Sequence, residues 1–259
     1  MKEKPNKIDQ KSEAVGIQDM GKNTSKVFYG EAKTKASQET YNETPGLLLN
    51  EIRKRLPSGK KYTIGDIESF KGELVNKLLQ ITPEYDFHTI AVDINERALS
   101  ENNLDEKIIA NAENLPFKDN SIDVSVVRFV LQWNFFERQK KIIKEIARTT
   151  RKFALIEHAG SENINPNLWR QKINLLFSGE IPKLKRGEHF FSSRDEIEKI
   201  MAEENIKFER IKEKVINNLS DVYTERYGLD IKESKKAKAI MGNKDFFVQT
   251  DWIIYPSNQ

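Results

Sequence analysis

The chain has no cysteine among its 259 residues. Disulfides, thiolate metal sites and cysteine nucleophiles are therefore excluded, and the redox compartment is left open. Histidine is nearly as scarce, occurring only as His88, His158 and His189. No pairing of these with carboxylates has metal-ligand spacing, so no metal site is expected. No apolar run approaches the length of a bilayer-spanning helix. The opening MKEKPNKIDQKSE lacks the apolar core of a signal peptide. A soluble, cytoplasmic protein without a membrane partner is the expectation. A formal charge of +3 gives no bulk basic footprint, so nucleic acid is not an expected partner. The P-loop, the G-x-S-x-G elbow and the G-x-G-x-x-G fingerprint are all missing.

What is present is a polar chain, 32% charged and 37% hydrophobic, long enough for one large α/β domain with decorations. Residues 1–40 are poor in large apolar side chains and read as a mostly disordered polar arm, with Val27, Phe28 and Tyr29 as its few docking candidates. The domain occupies 41–259. Pro45 opens a helix that carries Leu48, Ile52 and Leu56 on one face. Strands at 61–67, 89–93, 107–110, 121–129 and 152–158 alternate with helices at 72–81, 96–102 and 136–149. Such alternation calls for right-handed crossovers and a parallel sheet covered on both faces. After Gly160 the rhythm breaks. Residues 161–192, with Trp169 and several phenylalanines, read as a lid insertion. Ser193 and Glu196 form a capping box for a further helix, and strands follow at 208–216 and 246–255. Between those strands, 218–243 reads as a polar, lysine-rich insertion with a solvated face.

The densest signal is NAENLPFKDNSIDVSVVRFVLQW, from Asn111 to Trp133. Lys118-Asp119-Asn120 makes a turn, Asp123 opens a strand, and Val124, Val126 and Val127 are β-branched residues suited to a buried interior position. The pattern A-E-x-L-P-F-x-D-x-S-I-D-V, followed by a strand and L-x-W, resembles the core of the class I S-adenosylmethionine (SAM)-dependent methyltransferases, most nearly the small-molecule branch of ubiquinone-biosynthesis type. The resemblance spans roughly 60–160. It implies a doubly wound, Rossmann-like, mostly parallel seven-stranded sheet whose last strand is antiparallel, with the cofactor beyond the strands' carboxyl ends.

In that family the first strand ends in an acid and D-x-G-x-G-x-G. The corresponding stretch here is Asp66-Ile67-Glu68-Ser69-Phe70-Lys71-Gly72, in which only the acid and the last glycine match. Glycine serves there because backbone approaches ligand closely and takes positive φ. With Glu68 and Phe70 in the first two glycine positions, a differently shaped loop is expected. Phe70 should stand at the pocket rim or fill the pocket, and Glu68 should turn to solvent or pair with Arg128. The resemblance also implies cofactor contacts from Asp66, Glu68, Ser69, Gly72, Asp93, Ile94, Asn111, Ala112 and Arg128. Asp93, closing the second strand, suits ribose hydroxyls, or alternatively caps the helix that follows. The Asn111 carbonyl suits an adenine amino group, with Ala112 backbone meeting the ring; Leu115 and Phe117 either line the adenine or pack in the core. Arg128 suits the methionine end of the cofactor, a substrate carboxylate, or a structural pair with Asp66 or Glu68. His158 is the candidate general base, against the plainer reading of a hydrogen-bonded structural histidine.

These readings converge on a SAM-dependent methyltransferase acting on a small molecule. A domain of that fold that has lost the cofactor and serves as a binding or scaffold module is the alternative, and the altered loop argues for it. A nicotinamide-dependent oxidoreductase is a third reading, weakened by the missing glycine fingerprint.

Overall fold

In a computed structural model, the structure describes residues 35–160, 166–179, 192–218, 220–221, 224, 228–242 and 246–256. A helix, α1 (Lys35–Arg55), leads into β1 (Lys61–Ile67), α2 (Glu73–Gln80), β2 (Asp86–Asp93), α3 (Glu96–Ser100), β3 (Glu106–Ile109) and β4 (Ile122–Arg128). After a short 3-10 turn come α4 (Phe136–Thr149), β5 (Thr150–Gly160), α5 (Pro166–Phe177), α6 (Arg194–Glu203), β6 (Phe208–Asn217), α7 (Ile231–Met241) and β7 (Phe246–Ile254). The strands form one sheet in the order β3-β2-β1-β4-β5-β7-β6, with β7 antiparallel to both its neighbours. This is the seven-stranded, Rossmann-like arrangement that the resemblance implies. The chain reverses direction of build between β1 and β4, and the crevice at such a reversal is where open α/β sheets bind ligands.

Alternation along the strands divides the core in two. On one face Ile64, Val124, Val126, Phe153, Leu155 and Ile253 pack beneath Leu48, Ile52, Leu74 and Leu78 of α1 and α2. On the other, Ile67, Val92, Val127, Ile156 and Trp252 pack beneath Ile142, Ile143 and Ile146 of α4 and Ile197, Ile200 and Met201 of α6. Strands buried on both faces explain the near-continuous apolar runs in the sequence.

Three boundaries differ from the sequence reading. Pro45 lies inside α1, which starts at Lys35, within the stretch expected to be an arm. A proline there removes a helical hydrogen bond. Tertiary bonds hold the turn ahead of it: Thr44 donates to Glu157 (3.0 Å), and Glu43 pairs with Lys212 (2.6 Å) and Lys214 (3.1 Å). The rest of the arm, with Val27, Phe28 and Tyr29, lies outside the described residues. The lysine-rich insertion contains α7, opened by a capping box between Asp230 and Glu233 that the charge run obscured. The lid region contributes α5; Trp169's side chain and His189 fall outside what is described. The capping box at Ser193 and Glu196 forms as expected.

At the amino edge of the sheet, Asp123 is buried. It accepts from Thr63 N–H (3.0 Å) and from Arg151 Nε (2.7 Å), tying β1, β4 and β5 together. Asp123→Ala leaves the Thr63 amide without its acceptor, at a cost of about 1–3 kcal/mol. The expected outcome is a melting temperature lower by roughly 2–4 °C per kcal/mol, read by thermal denaturation, with cofactor-site ligand affinity unchanged.

Candidate active site

The carboxyl ends of β1 and β2 bring two acids together, Asp66 and Asp93, both buried. The loop after β1 is wound in the left-handed region three times, with φ of 58° at Glu68, 50° at Phe70 and 71° at Gly72. These are the three places where the family has glycine. The expectation of a differently shaped loop is therefore corrected: the glycine-type backbone is kept without two of the glycines. Each non-glycine residue so held carries strain of the order of 1–2 kcal/mol. Surrounding bonds hold the winding. Ser69 N–H donates to Val92 O (2.9 Å), Phe70 N–H to Asp93 Oδ2 (2.8 Å), and Gly72 N–H to Ser69 O (2.8 Å). The Asn102 amide reaches both Ser69 Oγ and Phe70 O at 3.2 Å. Gly72 is needed twice over, since a Cβ there would stand 2.6 Å from Asn102 Oδ1. Phe70 is buried rather than at a rim, with Lys71 Nζ 5.8 Å from its ring centroid.

Asp93 does not cap α3. Asn95 does, accepting from Ala98 N–H, while Asp93 accepts from the N–H groups of Asn95 (2.8 Å) and Phe70. Burial raises the Asp93 carboxyl against the pull of these backbone donors. Burial likewise holds Asp66 well above the usual carboxylate range, with Asp93 adding to the effect and Arg128 opposing it. Ile94, beside Asp93, is exposed, and the buried Ala112 closes the neighbouring segment. Asn111 turns its carbonyl to Glu113 N–H (3.0 Å), and Glu113 is ion-paired with Arg138. Leu115 is in the core and Phe117 packs against it.

Glu68 corrects a second expectation. It neither turns to solvent nor pairs with Arg128. Its carboxyl lies toward the Ala112 backbone, Asp93 and Glu113, with Arg138 nearby; burial first, then Asp93, pushes its pKa up to about 8. Glu68 thus bridges the loop after β1 to the segment after β3, and covers the backbone donor expected to meet the adenine ring.

Arg128 ends β4. Its Nε donates to Glu157 Oε2 (2.8 Å), and its guanidinium lies 5.0 Å from the Phe129 ring centroid. The pairs foreseen with Asp66 or Glu68 are replaced by one with Glu157, because Glu157 is its cross-strand neighbour in β5. His158 points to the opposite face of the sheet. Nε2 lies 2.8 Å from Ser192 O, so the hydrogen is on Nε2, and Trp252 lies beside the ring. Burial lowers its pKa to about 4. Its placement supports the structural histidine of the two readings. Among the described residues no three His, Asp or Glu side chains converge as metal ligands would, and no helix is long and apolar enough to cross a membrane.

The sequence reading missed a buried polar row on the Asp66 face. Arg128, Glu157, Asp251 and Lys212 are successive register partners across β4, β5, β7 and β6. Burial, then Glu157, pushes Asp251 up to about 7. The signal available was an acid in the middle of an otherwise apolar strand, FFVQTDWII.

Comparison with known proteins agrees with this geometry. A family model described as "Methyltransferase domain" matches residues 71–156, starting just past Phe70. Among solved structures, the YcgJ protein of Bacillus subtilis is 15% identical with a TM-score of 0.61, covering 83% of this chain and 99% of its own. Geranyl diphosphate C-methyltransferase of Streptomyces coelicolor A3(2) is 13% identical with a TM-score of 0.56, covering 83% and 78%. The [4+2]-cyclase SpnF is 11% identical with a TM-score of 0.60, covering 93% and 95%. No curated protein matches the sequence significantly. The family model thus matches the centre of the chain, and the solved structures share its fold. The presence of a cyclase among the structural relatives shows that this fold by itself leaves the reaction open.

Glu68 generates a prediction. A carboxyl raised from about 4.5 to about 8 binds more protons folded than unfolded between those values, so its contribution to stability is lost as pH rises through that window. Glu68→Gly removes both this penalty and the left-handed strain. Melting temperature at pH 8 is expected to rise, by roughly 2–4 °C per kcal/mol of relief. The decline in stability from pH 5 to 8 should become shallower, with Asp251 supplying the remainder. An unchanged pH profile would mean that the Glu68 carboxyl is solvated.

Proposed function

We propose that the protein is a SAM-dependent methyltransferase acting on a small-molecule acceptor. The observation that carries this is the loop backbone: left-handed residues at 68, 70 and 72, between the two buried acids, in a sequence that supplies only one glycine. Strain of that kind persists when surrounding structure enforces it, and it clusters at ligand sites. The residues fit the cofactor. In this reading Asp93 takes the ribose hydroxyls, Ala112 N–H and Asn111 an adenine edge, and the first turn of α2 after Gly72 a carboxylate. Ser69, Asp66 and Ile94 complete the surroundings, and Arg128 lies toward the acceptor side. The bound cofactor would supply a sulfonium methyl group for in-line transfer. The chain's own part is to hold the partners in line and exclude water. Glu68 must move aside from Ala112 N–H for an adenine to take it.

A small-molecule acceptor rather than nucleic acid, and a cytoplasmic setting, belong to this proposal; the near balance of charge supports the former. The rival scaffold reading draws on one observation, the Glu68 carboxylate resting on Ala112. Calorimetry with SAM and S-adenosylhomocysteine separates the two. Binding is expected, and Asp93→Ala is expected to weaken it by about ten- to a hundred-fold, the loss of hydrogen bonds to a charged acceptor. Absence of heat with either ligand, for the wild type and for Glu68→Gly alike, would leave the scaffold.

A further inference from the structure

The polar row beside the cofactor crevice has an unusual division of labour. Glu157 and Asp251 are each about 1% exposed and face one another across β5 and β7. Glu157 spends one oxygen, Oε2, on both Arg128 Nε and Thr44 Oγ1. Its other oxygen, Oε1, meets no hydrogen-bond donor among the described residues. Asp251 repeats the arrangement: Oδ1 takes the Gln249 amide (3.3 Å), and Oδ2 meets no donor. Gln249, also about 1% exposed, has the same property at Oε1. Buried carboxylate and amide oxygens are ordinarily satisfied, and each exception calls for an explanation. A purely structural ion pair would engage both oxygens of each acid. Here one oxygen of each is fixed and one is offered.

Charge points the same way. Arg128 and Lys212 flank the acids at either end of the row, and Lys212 is turned onto Glu43 of α1. Lys214 meets Glu43 as well, so Glu157 and Asp251 share Arg128 as the one cation ion-paired with either of them among the described residues. Three buried acceptor oxygens that meet no donor among the described residues, beside two acids that share one ion-paired cation, suit an ammonium group, which has three N–H donors and one charge. Arg128 links the row to the cofactor side, since its charge also acts on Asp66.

We propose that Glu157, Asp251 and Gln249 form the acceptor-substrate subsite, and that its ligand is an amine bound through its ammonium group. This rests on the methyltransferase reading and narrows its acceptor to a nitrogen compound. Glu43 and Thr44 tie α1 down over the subsite, so α1 is the element that must shift to admit the amine.

The test uses n-butylamine against n-butanol and butyrate, probes of one shape and different head groups. Each is titrated to high millimolar concentration at pH 8 and matched ionic strength, followed by thermal shift and calorimetry, with and without S-adenosylhomocysteine. Butylamine alone is expected to raise the melting temperature of the wild-type protein. Asp251→Asn and Glu157→Gln should weaken that response by about ten-fold or more while S-adenosylhomocysteine still binds. No response to butylamine, an equal response to butanol or butyrate, or an undiminished response in the variants would overturn the proposal. The wild-type comparison stands even where a variant folds poorly. Failure of S-adenosylhomocysteine to bind counts against the methyltransferase reading; the amine titrations without it report on the subsite separately.

Discussion

The hydrogen bond from Phe70 N–H to the Asp93 carboxylate is the constraint on which the site depends. It ties the loop after β1 to the end of β2 at 2.8 Å. Together with the Ser69 and Asn102 bonds it holds two side-chain-bearing residues in a conformation that glycine adopts without penalty. Its acceptor is buried, so the bond is strongest when Asp93 is ionised, and burial resists that ionisation. The Asp93 charge in turn raises both Asp66 and Glu68, so the three carboxyl groups oppose one another's ionisation. A ligand that donates hydrogen bonds to them relieves the conflict.

From this corner the polar chemistry runs along one edge of the sheet. Asp66 on β1 feels Arg128 on β4, Arg128 holds Glu157 on β5, and Glu157 faces Asp251 on β7. Thr44 and Glu43 connect the row to α1. The proposed cofactor crevice and the proposed acceptor subsite thus lie along one electrostatic unit, while on the opposite face of the sheet His158 packs against Ser192 and Trp252.

The fold was legible because its strands are buried on both faces and separated by amphipathic helices. The strand and helix cores from Lys61 to His158 lie where their apolar periodicity puts them. The boundaries that failed are those set by contacts distant in sequence. Pro45 reads as a helix start, and only the bonds of Thr44 and Glu43 to β5 and β6, distant in sequence, show why the helix begins earlier. The helix at Ile231–Met241 was hidden because its lysines dominate the pattern, although Asp230 and Glu233 carried the capping signal. The site was legible in part. Asp66, Gly72, Asp93 and Ala112 converge because they end adjacent strands or the loops after them. Glu68 was misjudged because nothing local in the chain shows that its carboxylate reaches the Ala112 amide. Asp251 was missed because its partner, Glu157, lies almost a hundred residues earlier.

The central claim is that the loop keeps a cofactor-binding backbone behind a side chain that must move. Amide resonances of the wild-type protein, followed while S-adenosylhomocysteine is added, test it directly. The account predicts large shifts at Ala112, Phe70 and Gly72, with loss of the Glu68 carboxyl titration near pH 8. Unmoved Ala112 and Gly72 amides with an unchanged Glu68 titration, at ligand concentrations high enough to saturate a weak site, would contradict it.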